Sequence, residues 1–172
     1  MNDADAINLM LLVLRVAVGA TIIAHGYNHY WGGGKIEGTA GWFASMGLKP
    51  GMVHALAATA TELVCGALLI LGLLTPLGCA GVVGVMVVAW ITAHRSNGFF
   101  IFKPGQGWEY VMILTVVGLT MAATGPGKWS VDRAIDLDWF GVSGLLTAFV
   151  LGVGGALALL AAAWRPDTPA EA

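Results

Sequence analysis

Charged side chains are scarce in this sequence. Lysine, arginine, aspartate and glutamate make up 10% of its 172 residues, whereas a soluble domain carries about 25%. Hydrophobic residues make up 58%, so a water-facing surface could not be covered with polar side chains. This composition excludes an ordinary soluble protein and predicts an integral membrane protein, with lipid as the solvent for much of the chain.

Clusters of basic residues and of cysteines are also lacking. The formal net charge is -2 and the basic residues are scattered, so nucleic acid is not an expected partner. Cys65 and Cys79 lie in separate apolar stretches and form neither a CxxC pair nor a metal-ligand cluster. We interpret both as small buried apolar side chains.

Five apolar segments predict five membrane-spanning helices. They cover residues 7–27, 53–74, 77–93, 108–123 and 140–164. A hydrocarbon core of about 30 Å needs roughly 20 helical residues. The fourth segment is short, and Trp108 and Tyr110 are expected to anchor it at the interface. We interpret the first segment as a retained membrane helix and not as a cleaved signal peptide, because no Lys or Arg precedes it.

The connections between the segments differ in character. Thr75-Pro76 predicts a tight hairpin between the second and third segments. In the first loop, Trp42, Phe43 and Met46 share one helical face, which predicts a short interfacial helix over residues 39–48. The tail over residues 165–172 is predicted to be disordered.

Successive crossings alternate between two sides, which we call side A and side B. The N-terminus, the 75–76 turn and the 124–139 loop belong to side A. The 28–52 and 94–107 loops and the C-terminus belong to side B. Side B holds Lys35, Lys49, Arg95, Lys103 and Arg165, whereas side A holds only Lys128 and Arg133. The positive-inside rule therefore places side B and the C-terminus in the cytoplasm, with the N-terminus outside.

Side B collects most of the polar groups near the predicted helix ends. The four histidines, His25, His29, His54 and His94, all lie at this boundary. The i, i+4 spacing of His25 and His29 is compatible with a metal or haem site. Interfacial histidines are more commonly satisfied by water or lipid headgroups, and we expect neither haem nor metal. Glu109 begins the fourth segment as an N-terminal helix carboxylate or as a ligand-site acid.

Arg15 and Glu62 are the only charges in the first and second segments. Counted from side B, their depths are about 18 Å and 14 Å, and an intramembrane charge needs a partner. The sequence therefore predicts that Arg15 and Glu62 contact each other. Two interpretations stay open, a pair that only locks two helices together and a pair at a proton or quinone-headgroup site.

Several motifs occur in the order typical of one family. They are LRVAVGATIIAHG, GTAGWFASMGLKPG, ELVCGALLILGLLTPLG, GFF with GWEY, and GPGKWSVD, within residues 7–132. With these motifs the sequence resembles the DoxX family of small bacterial membrane proteins. The resemblance implies a four-helix membrane domain over residues 1–137, to which residues 138–172 add a fifth membrane helix and the tail. It also implies a bacterial cytoplasmic (inner) membrane location.

The resemblance implies a link to quinone-associated redox processes, with other membrane or soluble redox subunits as partners. Quinone is the one cofactor it suggests, a homo-oligomer is left open, and no self-sufficient catalytic site is evident. A non-catalytic scaffold or assembly factor is the alternative, and a small-solute transporter is the third choice. The candidate pocket, partly carried over from the family motifs, consists of Arg15, His25, Glu62, His94, Trp108, Glu109 and Tyr110, with Gly26 beside it.

Overall fold

The described part of the chain is mostly helical and contains no strand. A computed structural model describes residues 2–166. Its helices are α1 (Asp3–Trp31), α2 (Lys35–Ser45), α3 (Gly51–Leu71), α4 (Thr75–Ala89), α5 (Glu109–Thr124), α6 (Val131–Ala134), α7 (Gly141–Thr147) and α8 (Gly155–Ala163). A π-helical turn, Trp90–His94, extends α4, and a π-helical segment, Ala148–Gly154, joins α7 to α8.

The membrane spans agree with the five predicted segments. Within residues 2–166, four helices are long and apolar enough to cross a bilayer: Asp3–Trp31, Gly51–Leu71, Thr75–His94 and Gly141–Ala163. The last of these, α7 to α8, is called the fifth membrane helix below. Helix α5, which corresponds to the fourth predicted segment, is apolar but has only 16 residues. The predicted all-helical membrane fold, with a short helix in the first loop, is confirmed, although that helix begins four residues earlier than expected.

Helices α1 and α3 pack against each other through paired glycines. A Cβ atom on Gly19 would lie 2.6 Å from the carbonyl oxygen of Gly66, and one on Gly66 would lie 2.6 Å from that of Gly19. This reciprocal contact brings the two backbones together, as small residues do between membrane helices. It also fixes the axial position of α1 relative to α3.

Arg15 binds the C-terminal end of α3. Its side chain is 1% exposed, and Nη1 donates to the carbonyl oxygens of Leu69 and Ile70 at 2.9 and 3.1 Å. Nη2 donates to the carbonyl oxygen of Trp129 at 2.7 Å. A cation at this position binds carbonyls of the last helical turn, one of which also accepts from Gly72 N, and is favoured by the helix dipole.

Asp132 binds the N-terminal end of α4. Its carboxylate, 1% exposed, accepts hydrogen bonds from the backbone N–H groups of Leu74 and Thr75 at 2.7 and 3.0 Å, and from the Thr75 hydroxyl at 2.8 Å. Arg15 and Asp132 also interact electrostatically. Two buried charges of opposite sign therefore bind the two helix ends that meet at the turn of the α3–α4 hairpin.

The predicted contact between Arg15 and Glu62 is wrong. Arg15 lies beside the end of α3, whereas Glu62 lies beside His29, near the end of α1. Along α1, Arg15 and His29 are about 21 Å apart. The depth estimate failed because it placed the end of α1 level with the start of α3, whereas the chain between them contains α2, which packs against α3.

The fifth membrane helix packs against α4 and α5. A Cβ atom on Gly152 would lie 2.8 Å from the Val83 side chain, so the fifth helix and α4 approach closely. At side B, Trp164 Nε1 donates to the Met46 carbonyl at 2.8 Å, and Arg165 N donates to the Gly47 carbonyl at 2.7 Å. These bonds tie the C-terminal end of this helix to the segment that follows α2.

The division of the chain at residue 137 stays a prediction. Of the tail that was predicted to be disordered, Arg165 and Pro166 belong to the described chain, and residues 167–172 lie outside the described residues.

The glycine contact between α1 and α3 can be tested with a pair of alanine variants. Gly66→Ala should lower the melting temperature in detergent, because its Cβ would meet Gly19 O and the Ile23 side chain. Gly41→Ala in α2 is the matched control, since a Cβ there meets nothing within 4 Å. The control should be neutral or stabilising by up to about 1 kcal/mol. Equal melting temperatures for the two variants would contradict the close packing.

The clamp formed by Arg15 and Asp132 predicts a specific coupling. Arg15→Met and Asp132→Asn should each destabilise the fold by about 3–5 kcal/mol, because each leaves a buried partner uncompensated. The double variant should lose less than the sum, with a coupling of about 0.5–3 kcal/mol. Arg15→Met combined with Glu62→Gln is the control and should be additive, because the two side chains share no partner. Unfolding in a denaturing detergent series measures the wild type, the three single variants and the two double variants, and a larger coupling for the control pair would refute the assignment.

Candidate functional site

A cavity of about 570 Å³ lies inside the bundle. Its wall is formed by parts of α1, α2, α3, α4, α5, the 95–108 loop and the fifth membrane helix. The volume lies in the range of small-molecule binding sites, about 300–1,000 Å³. All four histidines of the chain contribute to this wall: His25, His29, His54 and His94.

One long wall of the cavity is apolar and contains several small residues. Along α4 it consists of residues at helical spacing, among them Ala80, Gly81 and Gly84. Across from α3, the fifth membrane helix contributes Gly152 and Gly155. Both α3 and the fifth membrane helix pack against α4 but make little contact with each other. The small side chains that face the gap between these two helices leave it unfilled. The result is an apolar slot.

Both π-helical segments contribute to the cavity wall. The turn at the end of α4 presents Thr92, Ala93 and His94, and the segment in the fifth helix presents Leu151 and Gly152. A π-helical turn shifts the side chains that follow it relative to an α-helix and is frequent at functional sites. Here the two segments lie on helices that pack together along one side of the cavity.

The most deeply buried polar group of the cavity is Glu62. Its side chain is 3% exposed, and Oε2 lies 3.0 Å from Nδ1 of His29, whose side chain is 15% exposed. The distance is that of an ion pair, but the alignment is not that of a hydrogen bond, and neither atom has a hydrogen-bond partner. Gly26 lets α1 approach this point, because a Cβ there would lie 3.0 Å from Glu62 Cβ.

A second polar pair lies one helical turn away on α1. The Tyr110 hydroxyl is 3.2 Å from Nε2 of His25, and the two rings are 5.9 Å apart. Tyr110 is also close enough to Glu62 for the two groups to interact electrostatically. We call His25, His29, Glu62 and Tyr110 the polar cluster. It combines two histidines, an acid and a phenol within an apolar cavity.

The other two histidines of the cavity wall lie at side B. His54 is in the first turn of α3, and His94 ends the π-helical turn after α4. His94 Nδ1 lies 2.8 Å from the carbonyl oxygen of Gln106 in the 95–108 loop. Within residues 2–166, no three His, Cys, Asp or Glu side chains are grouped so that they could hold a metal ion.

The structure brings only part of the predicted pocket together. His25, Glu62, His94 and Tyr110 line the cavity, whereas Arg15, Trp108 and Glu109 do not. Arg15 belongs to the hairpin clamp described above. Trp108 packs edge-on against Phe99 with ring centres 4.9 Å apart, and Glu109 accepts a hydrogen bond from Ile101 N at 2.9 Å. Trp108 and Glu109 therefore hold the 95–108 loop that forms one edge of the cavity.

Two components of the site were not in the predicted pocket. The first predicted segment ends at residue 27, whereas α1 continues to Trp31, so His29 is in a regular helix and faces Glu62. Its i, i+4 spacing from His25 is the signal that identifies it. The contribution of the fifth membrane helix had no signal, because Leu151, Gly152 and Gly155 carry no polar group.

Comparisons with known proteins agree with the membrane fold. The DoxX family model matches residues 10–95, a stretch that includes three of the polar-cluster residues. An uncharacterized membrane protein of Mycobacterium tuberculosis is 26% identical over 135 residues, which cover 73% of this chain and 80% of that protein. No solved structure matches the chain significantly. The protein belongs to the DoxX family.

Proposed function

We propose that this DoxX protein is a quinone-binding subunit of a redox system in a bacterial cytoplasmic membrane. The observation that carries the proposal is the polar cluster, which places a nearly buried Glu62 and three ring side chains inside an apolar cavity. A quinone needs this combination, because its tail and ring are apolar while its oxygens need hydrogen-bonding groups.

The residues present fit such a headgroup. The cavity of about 570 Å³ holds a substituted ring, and the small residues of α4 and the fifth helix provide an apolar slot for a tail. Glu62 Oε2 and His29 Nδ1 are buried without hydrogen-bond partners. They lie 3.0 Å apart as an ion pair, so an acid and an imidazole form the polar end of an otherwise apolar cavity, the combination that a quinone headgroup needs.

The chain's own part in this function is binding and orientation. Cys65 and Cys79 are free thiols and neither lines the cavity, so the cavity wall offers acid–base groups and no dithiol. Electrons would therefore pass between the quinone and a second protein, in agreement with the expectation of redox partner subunits. The histidines and Glu62 are groups that can hold or pass a proton, the other product of quinol oxidation.

A cavity-filling variant tests the proposal. Gly155 lines the cavity, and a Cβ there meets nothing within 4 Å, so Gly155→Leu should fill the slot without disturbing the backbone. We expect it to weaken binding of a short-tail ubiquinone or menaquinone analogue at least about tenfold, or about 1.4 kcal/mol. Calorimetric titration of the detergent-purified protein measures the affinity.

The adjacent glycine provides the matched control. Gly154 also has open space at its Cβ position but does not line the cavity, so Gly154→Leu should bind the analogue as the wild type does. Absence of binding to the wild-type protein, or equal affinities for the two variants, would favour the scaffold, which needs no ligand in the cavity.

A further inference from the structure

The gap between α3 and the fifth membrane helix exposes one stripe of α4. The stripe consists of Leu77, Gly81, Gly84 and Val88, which follow each other at the i, i+4, i+7 and i+11 positions of one helical face. All of them line the cavity and are partly exposed. Both neighbouring helices pack on α4, so a contact between those two helices would bury the stripe. The cavity therefore continues outward into the gap.

The gap lies at the membrane depth of the polar cluster. A Cβ atom on Gly81 would meet the side chains of Cys65 and Thr61, so Gly81 is level with the turn of α3 that contains Glu62. Thr61 lies at the midpoint of α3, about 15 Å from either end of that helix. The gap therefore faces the hydrocarbon of the bilayer and not the water on either side.

Both rims of the gap are apolar and accessible. Ala57 forms the rim on α3, and Leu151 forms the rim on the fifth membrane helix. Each of them lines the cavity and is exposed, Leu151 to 54%. An apolar rim at this depth matches a molecule that is dissolved in lipid, whereas charged molecules are costly to bring there.

The gap is closed at its side-B end. Here the segment after α2 and the end of the fifth membrane helix form an antiparallel bridge between Leu48 and Trp164. Lys49 N donates to the carbonyl oxygen of Ala163 at 3.4 Å, beside the two bonds described above. A molecule in the water of side B meets hydrogen-bonded backbone at this end, whereas a molecule in the lipid meets the open gap.

We propose that the gap between α3 and the fifth membrane helix is a lateral portal, through which a lipid-dissolved ligand enters the cavity from the bilayer. The inference rests on the proposed function and goes beyond it, because a quinone site could also be entered from the aqueous phase of side B. The ring passes between Ala57 and Leu151 over the exposed stripe of α4, and its apolar chain follows from the lipid.

A larger side chain on the α3 rim tests the route. Ala57 is exposed, so Ala57→Phe has room and narrows the portal. Because an obstacle on the path slows passage in both directions, the association and dissociation rates of decylubiquinone should each fall at least about fivefold, while the dissociation constant changes less than about twofold. Quinones quench tryptophan fluorescence and Trp42 lines the cavity, so stopped-flow fluorescence of the detergent-purified protein measures both rates.

Two further variants make the test specific. Ala60 lies three residues further along α3, is also exposed and does not line the cavity, so Ala60→Phe should keep both wild-type rates. Leu151→Ala removes a side chain from the opposite rim and should raise both rates by about twofold or more. A misfolded variant would not bind faster, so Leu151→Ala decides the matter even if Ala57→Phe does not fold.

The other outcomes separate the portal from the proposed function. If decylubiquinone binds the wild type and both rim variants keep its rates, the ligand enters elsewhere, so the portal is refuted and the proposed function stands. If Ala57→Phe weakens binding without slowing association, the rim is part of the binding surface and not of the path, which also refutes the portal. If decylubiquinone does not bind the wild type, the proposed function fails and the inference fails with it.

Discussion

The fold depends on the clamp that Arg15 and Asp132 place on the α3–α4 hairpin. Arg15 satisfies the last carbonyls of α3, and Asp132 satisfies the first N–H groups of α4. Without Asp132, the N–H groups of Leu74 and Thr75 would lose their acceptor inside an apolar bundle, which is costly in lipid. Because Arg15 is on α1, the same clamp sets the axial position of α1, and the contact of Gly19 with Gly66 keeps it. With α1 held at this level, His29 reaches Glu62.

Stability and function place different demands on the two groups of buried charge. In the clamp, Arg15 Nη1 and Nη2 and both carboxylate oxygens of Asp132 have hydrogen-bond partners, and Arg15 Nε has none. In the polar cluster, the facing atoms of Glu62 and His29 form an ion pair at 3.0 Å without a hydrogen bond. The surrounding glycines and alanines leave room where larger side chains would have closed the cavity. An open volume beside a buried acid and imidazole destabilises a bundle, and such departures from close packing concentrate at binding sites.

The candidate site was only partly predictable from the sequence. The histidines and Tyr110 could be assigned to one membrane side, since an apolar run that ends at a polar residue shows where a helix leaves the bilayer. The partner of Glu62 could not be found in this way. Depth was counted from loop ends, but α1 runs on to Trp31 and stops beside α3 at the level of Glu62, while α2 lies between α1 and α3 in the chain. Arg15 therefore pairs with backbone carbonyls and Asp132, a residue that lies in a loop by sequence and is buried in the fold.

The sequence alone determined that this protein lies in lipid, and it determined the number and order of the apolar segments and the family. Apolar length and local motifs are properties of contiguous residues, so they can be read without the fold. The tertiary structure decided which polar groups meet. Residues distant in sequence, such as Arg15 and Asp132 or His25 and Tyr110, come together through helix register and helix–helix packing. Register depends on close contacts between glycine backbones and on hydrogen bonds at helix ends, and these leave no periodic pattern in the sequence. The fifth membrane helix shows the same division, since its apolar length predicted a crossing but only packing against α4 made it a wall of the cavity.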